Sequence, residues 1–173
     1  MTVFSGPIGV IHAFMTALVL AFPAQSQTLP GRIGPAILTV TGLDPALHPG
    51  GELIFDMAML QALPHNTITT TSIWTEGLHS FTGVPMAALA HYLDLHNATL
   101  GLHALNDYRV DMPLDEAEPL APILAYQMDG APMPVRDKGP IWVIYPYDAA
   151  AQYRTDTVFM RSVWQLDRIE VLP

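Results

Sequence analysis

Short apolar runs broken by proline, glycine and other turn-forming residues fill most of this chain, and this pattern restricts it to short helices and strands. Its 173 residues include 16 prolines and 12 glycines, which is typical of a loop-rich chain with rigid corners. Two or three helical patterns lie in the first half, and strand patterns predominate in the second half. This order of elements predicts an α+β domain with mixed sheets and a few short helices.

Hydrophobic periodicity locates the elements more closely. One helix is predicted over 52–63, with Asp56 capping its main turn, and a second over 85–97. Residues 74–83 contain two glycines and are predicted to form a loop. The last strand is predicted to carry a bulge, because its apolar positions change phase. The predicted strands lie at 36–41, 67–72, 100–105, 108–112, 123–128, 141–145 and 163–171.

The N-terminal segment differs in character from the rest of the chain. Its first 31 residues carry no acidic side chain, lysine or arginine. Val10–Phe22 is an apolar run with one histidine, shorter than the roughly 20 residues that a membrane-spanning helix needs. The Ala24–Ser26 tripeptide that follows fits the small-x-small pattern of a signal-peptidase site. We therefore predict a signal peptide over 1–26 and a single domain over 27–173; the alternative is an N-terminal core helix.

Net charge and the absence of cysteine exclude several classes of function. Sixteen acidic residues against seven lysines and arginines give a net charge of −9. This excess argues against a nucleic-acid partner, because such binding depends on lysine and arginine at phosphates. With no cysteine, the chain has no disulfide, thiolate nucleophile, iron–sulfur cluster or thiolate-bound metal.

The chain contains none of the common catalytic or metal-binding motifs. Its seven histidines form no HxH, HExxH or i, i+4 pair, and it has no GxSxG, phosphate-binding loop or GxGxxG. A Ser-His-Asp site assembled from distant loops stays open at this point.

Cationic and aromatic residues give a more specific indication. Six of the seven lysines and arginines lie beyond residue 108, where they suit either a ligand anion or neighbouring carboxylates. Trp74, in a predicted glycine-flanked loop, suits stacking on a flat heterocycle, and Asp107 suits its ring N–H donors. Trp142 and Trp164 lie inside predicted strands and are predicted to be core residues.

Five segments match one known family when they are taken in order. They are Thr67–Trp74 with Phe81–Met86, then Ala104–Pro113, Met128–Pro134, Lys138–Pro140 and Arg161–Val171. Together with the strand at 36–41 they span residues 36–173, and they resemble the oxidoreductase molybdopterin-binding domain. The resemblance implies the sulfite-oxidase fold of that family and a cleft that accommodates a pterin.

One position departs from the family pattern. The family's molybdenum-binding cysteine precedes the tryptophan-containing loop, and the matching position here is Thr70. A threonine hydroxyl is a poor substitute for a soft thiolate ligand. The chain is more similar to the PruR-type periplasmic pterin-binding proteins, which lack that cysteine. This resemblance implies a non-catalytic periplasmic protein that binds a reduced pterin such as tetrahydromonapterin, without molybdenum. It also implies a partner, the periplasmic domain of a membrane-bound cyclic-di-GMP synthase/phosphodiesterase.

Nine residues form the ligand site that we predict on this basis. Trp74 is the stacking platform, and Asp107 accepts hydrogen bonds from the amino and N3–H edge of the pterin. The other seven are hydroxyl partners at the metal end of the cleft, cationic residues at its phosphate end, and two tyrosines: Thr70 and Ser72; Arg136, Lys138 and Arg161; Tyr108 and Tyr145.

Structural roles for these residues and other functions stay open. Asp107 serves only a turn in one alternative, and Arg161 pairs with Asp156 or Asp167 in another. The protein as a whole is alternatively a molybdopterin-dependent oxidoreductase with a non-thiolate ligand, or an accessory subunit that has lost its ligands.

Overall fold

The computed structural model describes residues 29–172, which form an α+β domain with mostly strands, as predicted. The predicted signal peptide and its cleavage site near Ser26 lie outside the described residues. None of the described helices combines the length and the apolar character that crossing a lipid bilayer requires.

Residues 29–172 contain ten strands and three α-helices. The strands are β1 (Leu38–Thr41), β2 (Glu52–Phe55), β3 (Asn66–Ser72), β4 (Thr75–Pro85), β5 (Thr99–Ala104), β6 (Arg109–Pro113), β7 (Ile123–Met128), β8 (Ala131–Pro132), β9 (Trp142–Ile144) and β10 (Leu166–Leu172). The helices are α1 (Met57–Ala62), α2 (Met86–Tyr92) and α3 (Asp156–Arg161), and single 3-10 turns lie between several of these elements.

The strands form two five-stranded sheets. The first has the order β2-β1-β10-β5-β6 and is mixed, because β1 and β10 run parallel while its other pairs are antiparallel. The second has the order β3-β4-β7-β8, and β9 also pairs with β7. The register of β10 against β5 shifts between Leu166 and Arg168, which confirms the predicted bulge.

One hydrophobic core joins the two sheets. Val40, Leu102 and Ile169 bury the inner face of the first sheet, while Phe81 and Trp142 are fully buried from the second. Along β3 burial alternates, so that even-numbered residues face the core and odd-numbered threonines face outward.

Several predicted boundaries are wrong: the second helix ends at Tyr92, the last strand begins at Leu166, and two further segments have a different secondary structure. Residues 52–55 form a strand paired with β1 instead of the first turn of a helix. The helix starts at Met57 because the Asp56 carboxylate caps it, accepting a hydrogen bond from the Met59 N–H at 2.9 Å. Residues 75–83, predicted as a loop, belong to β4, which pairs with β3 on one side and with β7 on the other. Pairing on both edges overrides the local preference of the glycines.

Helix α3 is absent from the predicted elements. Thr155 begins it: its hydroxyl accepts a hydrogen bond from the Val158 N–H at 3.3 Å, and Asp156 occupies the first turn. This Thr-Asp pair is the sequence signal that predicts the helix once the cap is considered. The segment matters because Phe159 and Met160 lie on it.

Candidate functional site

Trp74 lies at the tip of the β3–β4 hairpin, where side-chain hydroxyls fix the turn. The Ser72 hydroxyl is 2.7 Å from the Thr75 hydroxyl and accepts a hydrogen bond from the Trp74 N–H at 3.2 Å. Such a serine turn replaces backbone pairing at a chain reversal. Ser72 therefore stabilises the turn that positions Trp74.

The indole of Trp74 is the centre of an aromatic cluster. Trp142, Tyr147, Phe159 and Trp164 all approach it edge-on, with ring centroids 5.7–6.2 Å away. Edge-to-face packing is the favoured geometry for aromatic rings, so the cluster holds Trp74 in one orientation.

A pocket of about 240 Å³ opens beside this cluster, and we call it the aromatic pocket. It is formed by the hairpin tip, the β5–β6 turn, α3 and the segment before β10. Its lining residues are Trp74, Ala104, Asn106, Tyr108, Phe159, Met160, Ser162, Val163 and Trp164. None of these residues is charged, and four are aromatic.

Few polar groups of the pocket are free to bind a ligand. The Tyr108 hydroxyl donates to the Met160 carbonyl at 2.9 Å, and the Ser162 hydroxyl donates to the Val158 carbonyl at 2.8 Å. By contrast, the hydrogen bonds formed among residues 29–172 include none from the indole N–H of Trp74 or of Trp164. The lining thus presents four aromatic rings, and the two indole N–H groups and the Asn106 side-chain NH2 have no hydrogen-bond partner among residues 29–172.

The structure brings together some of the predicted site residues and separates others. Trp74 and Tyr108 both line the aromatic pocket, and Ser72 supports Trp74. Thr70 is fully buried: its hydroxyl donates to the Thr71 carbonyl at 3.1 Å and accepts from the Asp148 N–H at 3.2 Å. This hydroxyl, predicted as a ligand partner, is instead bonded within the protein as donor and as acceptor, and Thr70 does not line the aromatic pocket.

Tyr145 is also buried away from the pocket. Its hydroxyl lies 3.6 Å from the Met112 sulfur, and burial raises its pKa above the ordinary value. Burial likewise raises the pKa of the neighbouring Tyr147 to about 12, and the hydroxyl of Tyr147 donates to Ser162 at 2.7 Å. Tyr147 is a member of the aromatic cluster, Tyr145 packs beside it, and neither residue lines the pocket.

The predicted charged residues lie outside the pocket lining. Asp107 is exposed, with a positive φ of 64° in the β5–β6 turn, between the lining residues Asn106 and Tyr108. Arg161 pairs with Glu116 and donates from Nε to the Asp111 carbonyl at 3.1 Å. Its partner is thus neither of the two aspartates considered from sequence.

Arg136 and Lys138 lie on a different loop. Arg136 is exposed in the 3-10 turn Val135–Asp137, and the Lys138 ammonium lies 5.5 Å from the centroid of the Trp142 ring. Lys138 thus approaches the aromatic cluster at Trp142, which is fully buried. The pocket therefore has no cationic phosphate end among the described residues.

Sequence reasoning missed half of the aromatic wall. Trp164, predicted to be core, is half-buried and lines the pocket, whereas Trp142 is fully buried as predicted. Phe159 was missed along with α3. Asn106 is the residue before the predicted Asp107, and its side-chain Oδ1 accepts a hydrogen bond from the Tyr108 N–H at 3.2 Å.

A histidine clamp holds the base of the hairpin that carries Trp74. His79 on β4 has Nδ1 2.7 Å from an Asp129 carboxylate oxygen and Nε2 2.9 Å from the Glu76 carbonyl. Both partners are acceptors, so only the protonated ring satisfies both contacts. The hydrogen bond to Asp129 raises the pKa of His79 and lowers that of Asp129.

The clamp predicts a pH-dependent contribution to stability. The contribution of His79 is complete below its ordinary pKa of 6.5 and is lost as the pH rises through the raised value. The contribution of Asp129 is present above 3.8 and is lost as the pH falls through the lowered value. We expect the Tm difference between wild type and His79→Gln to be larger near pH 5.5 than near pH 9, measured by differential scanning fluorimetry. His91→Gln, on the exposed side of α2, is the matched control, and an equal difference at both pH values would contradict the clamp.

No protein-family model and no curated protein matches this chain. Within residues 29–172, no group of three or more histidine, aspartate or glutamate side chains is arranged to hold a metal ion.

Proposed function

We propose that this protein binds a reduced pterin in the aromatic pocket and does not turn it over, within a sulfite-oxidase-type fold. The observation that carries the proposal is the aromatic pocket itself, which Trp74 lines and whose described lining residues include no charged side chain. An apolar pocket with a few convergent polar groups is the usual form of a small-molecule site.

The shape and chemistry of the pocket suit a compact flat ligand. Its volume of about 240 Å³ lies below the range of about 300–1,000 Å³ that is typical for drug-sized molecules, and a two-ring heterocycle is small in that sense. The indole N–H of Trp164 has no partner among residues 29–172 and is available to donate to the O4 acceptor of a pterin stacked on Trp74. A ligand without such an acceptor would leave this donor unpaired, at a cost of about 1–3 kcal/mol.

Asp107 is the proposed hydrogen-bond acceptor at the mouth of the pocket. It stands in the turn between two lining residues, and an ionised carboxylate is suited to the adjacent 2-amino and N3–H donors of a pterin. Ser72 takes part as a positioning residue for Trp74. The hydroxyl of Thr70 and the cations Arg136, Lys138 and Arg161 have no part in the proposed site.

Location and signalling rest on the resemblance alone. We propose that the predicted leader at 1–26 directs export to the periplasm and that the pterin-bound protein is recognised by the periplasmic domain of a membrane-bound cyclic-di-GMP enzyme. A ligand-dependent difference in affinity for that domain is the required measurement, since a ligand that changes no affinity cannot carry a signal.

Analysis of the protein isolated from the periplasm tests the binding proposal. We expect mass spectrometry of the denatured protein to release about one reduced pterin per chain, and metal analysis to find no molybdenum. Stoichiometric molybdenum would instead favour the oxidoreductase alternative. Protein that neither carries a pterin nor takes one up in a fluorescence titration would favour the accessory-subunit alternative.

A further inference from the structure

Strand β3 is an edge of the second sheet, and part of its backbone has no hydrogen-bond partner among residues 29–172. The Ser80 carbonyl on β4 accepts from the Asp129 N–H at 2.8 Å, so Ser80 faces away from β3. Thr69 lies opposite Ser80 on the adjacent strand, so the two form a non-hydrogen-bonded pair, and the N–H and C=O of Thr69 face away from β4. Thr71, two residues further along β3, is oriented in the same way, and its N–H donates to the Asp148 carboxylate at 2.6 Å.

The unpaired groups are confined to a short stretch. Asp148 occupies the N–H of Thr71, and the Thr71 carbonyl accepts from the Thr70 hydroxyl. At the other end of the strand, the side-chain Nδ2 of Asn66 donates to the Leu120 carbonyl at 3.0 Å. Between these ends, Thr67 and Thr69 each present an outward N–H and C=O that no other described residue contacts.

Other edges of the fold are protected, whereas this one is not. Edge strand β6 carries Arg109 and Asp111, and the Arg161 guanidinium covers its backbone at the Asp111 carbonyl. Edge strand β2 is four residues long and begins with Glu52. Strand β3 is seven residues long and has no charged side chain and no proline. Natural proteins usually block long edges with charges or proline, so an open edge indicates a surface for pairing.

We propose that β3 pairs antiparallel with β3 of a second copy, about a two-fold axis at Ile68. In this register Thr67 faces Thr69 of the second copy, and the reciprocal pair is equivalent, as an isologous interface requires. Four backbone hydrogen bonds form, and the two sheets become continuous. On the solvent-exposed face of the sheet, side-chain hydroxyls form pairs between β3 and β4, Thr67 with Thr82 at 2.9 Å and Thr69 with Ser80 at 3.0 Å. In the dimer this row of hydroxyls continues from one copy to the other.

Hydrogen-bond complementarity at both ends favours a second copy over an unrelated strand, because an imidazole N–H is suited to a carboxylate. The same register sets Thr71, with Asp148 bound to it, opposite His65 of the second copy. His65 is exposed and has no hydrogen-bond partner among residues 29–172. Asp148 of each copy therefore contacts His65 of the other copy, at the two ends of the four backbone hydrogen bonds.

Substitution of one outward N–H tests this interface. The full mature chain is expected to dimerise in sedimentation-velocity experiments, and Thr67→Pro is expected to raise the dimer Kd at least tenfold. Proline removes the N–H that faces the second copy and leaves the pairing with β4 intact. Thr67→Val, which keeps the N–H and removes the hydroxyl, is the matched control and is expected to stay dimeric.

Hydrogen exchange gives a second readout that does not depend on the folding of any variant. The amides of Thr67 and Thr69 are expected to become protected as wild-type concentration rises, while the Thr71 amide is protected throughout. A monomer at all concentrations, a dimer whose Thr67 and Thr69 amides exchange freely, or protection only after another protein is added would each overturn the proposal.

Discussion

Replacement of Trp74 by alanine is expected to weaken binding of a reduced pterin by roughly 10- to 100-fold, because stacking of a flat base on an aromatic side chain contributes about 1–3 kcal/mol. The substitution also removes the edge-on contacts of Trp74 with four aromatic rings, so these rings lose a packing partner in the pocket wall. Isothermal titration calorimetry with tetrahydromonapterin under anaerobic conditions measures the loss directly.

Two companion variants separate stacking from general loss of stability. Trp74→Phe keeps a ring in the cluster and removes the indole N–H, so its expected loss of affinity is smaller than that of the alanine variant. Tyr92→Ala removes a partly buried ring that packs edge-on against Phe55, at a centroid distance of 6.4 Å and outside the pocket lining. It is expected to lower the Tm and to keep the affinity. If Trp74→Ala and Tyr92→Ala bind the pterin equally well, the assigned site is wrong.

Tryptophan fluorescence reports on the same site. Trp74 and Trp164 line the pocket, and Trp142 lies 5.9 Å from Trp74, so all three fluorophores are close to a bound ligand. Asp107→Asn is expected to reduce affinity without changing the quenching at saturation, because it removes a charge at the mouth and leaves the stacking surface in place.

Gly83→Ala is expected to destabilise the fold by about 4 kcal/mol or more, the range that indicates a specific steric mechanism. A Cβ at this position would lie 2.1 Å from the Leu124 carbonyl oxygen and 2.5 Å from the Ala125 Cα. These atoms belong to the backbone of β7, to which Gly83 is paired, and the register shifts between Thr82 and Gly83. Relief of the clash therefore requires movement of one of the two central strands.

Gly31→Ala is the matched control for this substitution. A Cβ at Gly31 would meet no atom within 4 Å, and its φ is outside the left-handed region. We expect urea denaturation to give a much lower midpoint for Gly83→Ala with an unchanged m value, and a wild-type midpoint for Gly31→Ala. A shift of less than 1 kcal/mol at Gly83 would contradict the close packing of β4 on β7.

Local patterns were sufficient for most of the strands. Strands β3, β5, β7 and the bulge in β10 follow from alternation and turn residues, since these depend on neighbours along the chain. The same reasoning failed at β4, where glycine at 77 and 83 suggested a loop. Gly83 is in fact a strand residue, and its small size serves the approach of two backbones that are distant in sequence.

The sequence by itself determined the α+β class, the cap at Asp56 and the prominence of Trp74 in a turn, because each reflects the preferences of a few adjacent residues. Only the tertiary structure decided which side chains share the pocket, since its walls come from three separate segments of the chain. It also decided that Arg161 pairs with Glu116, 45 residues away, and that the Thr70 hydroxyl is bound by the Asp148 N–H, 78 residues away. Ion pairs and hydrogen bonds form between groups that are close in space, and folding alone brings these groups together.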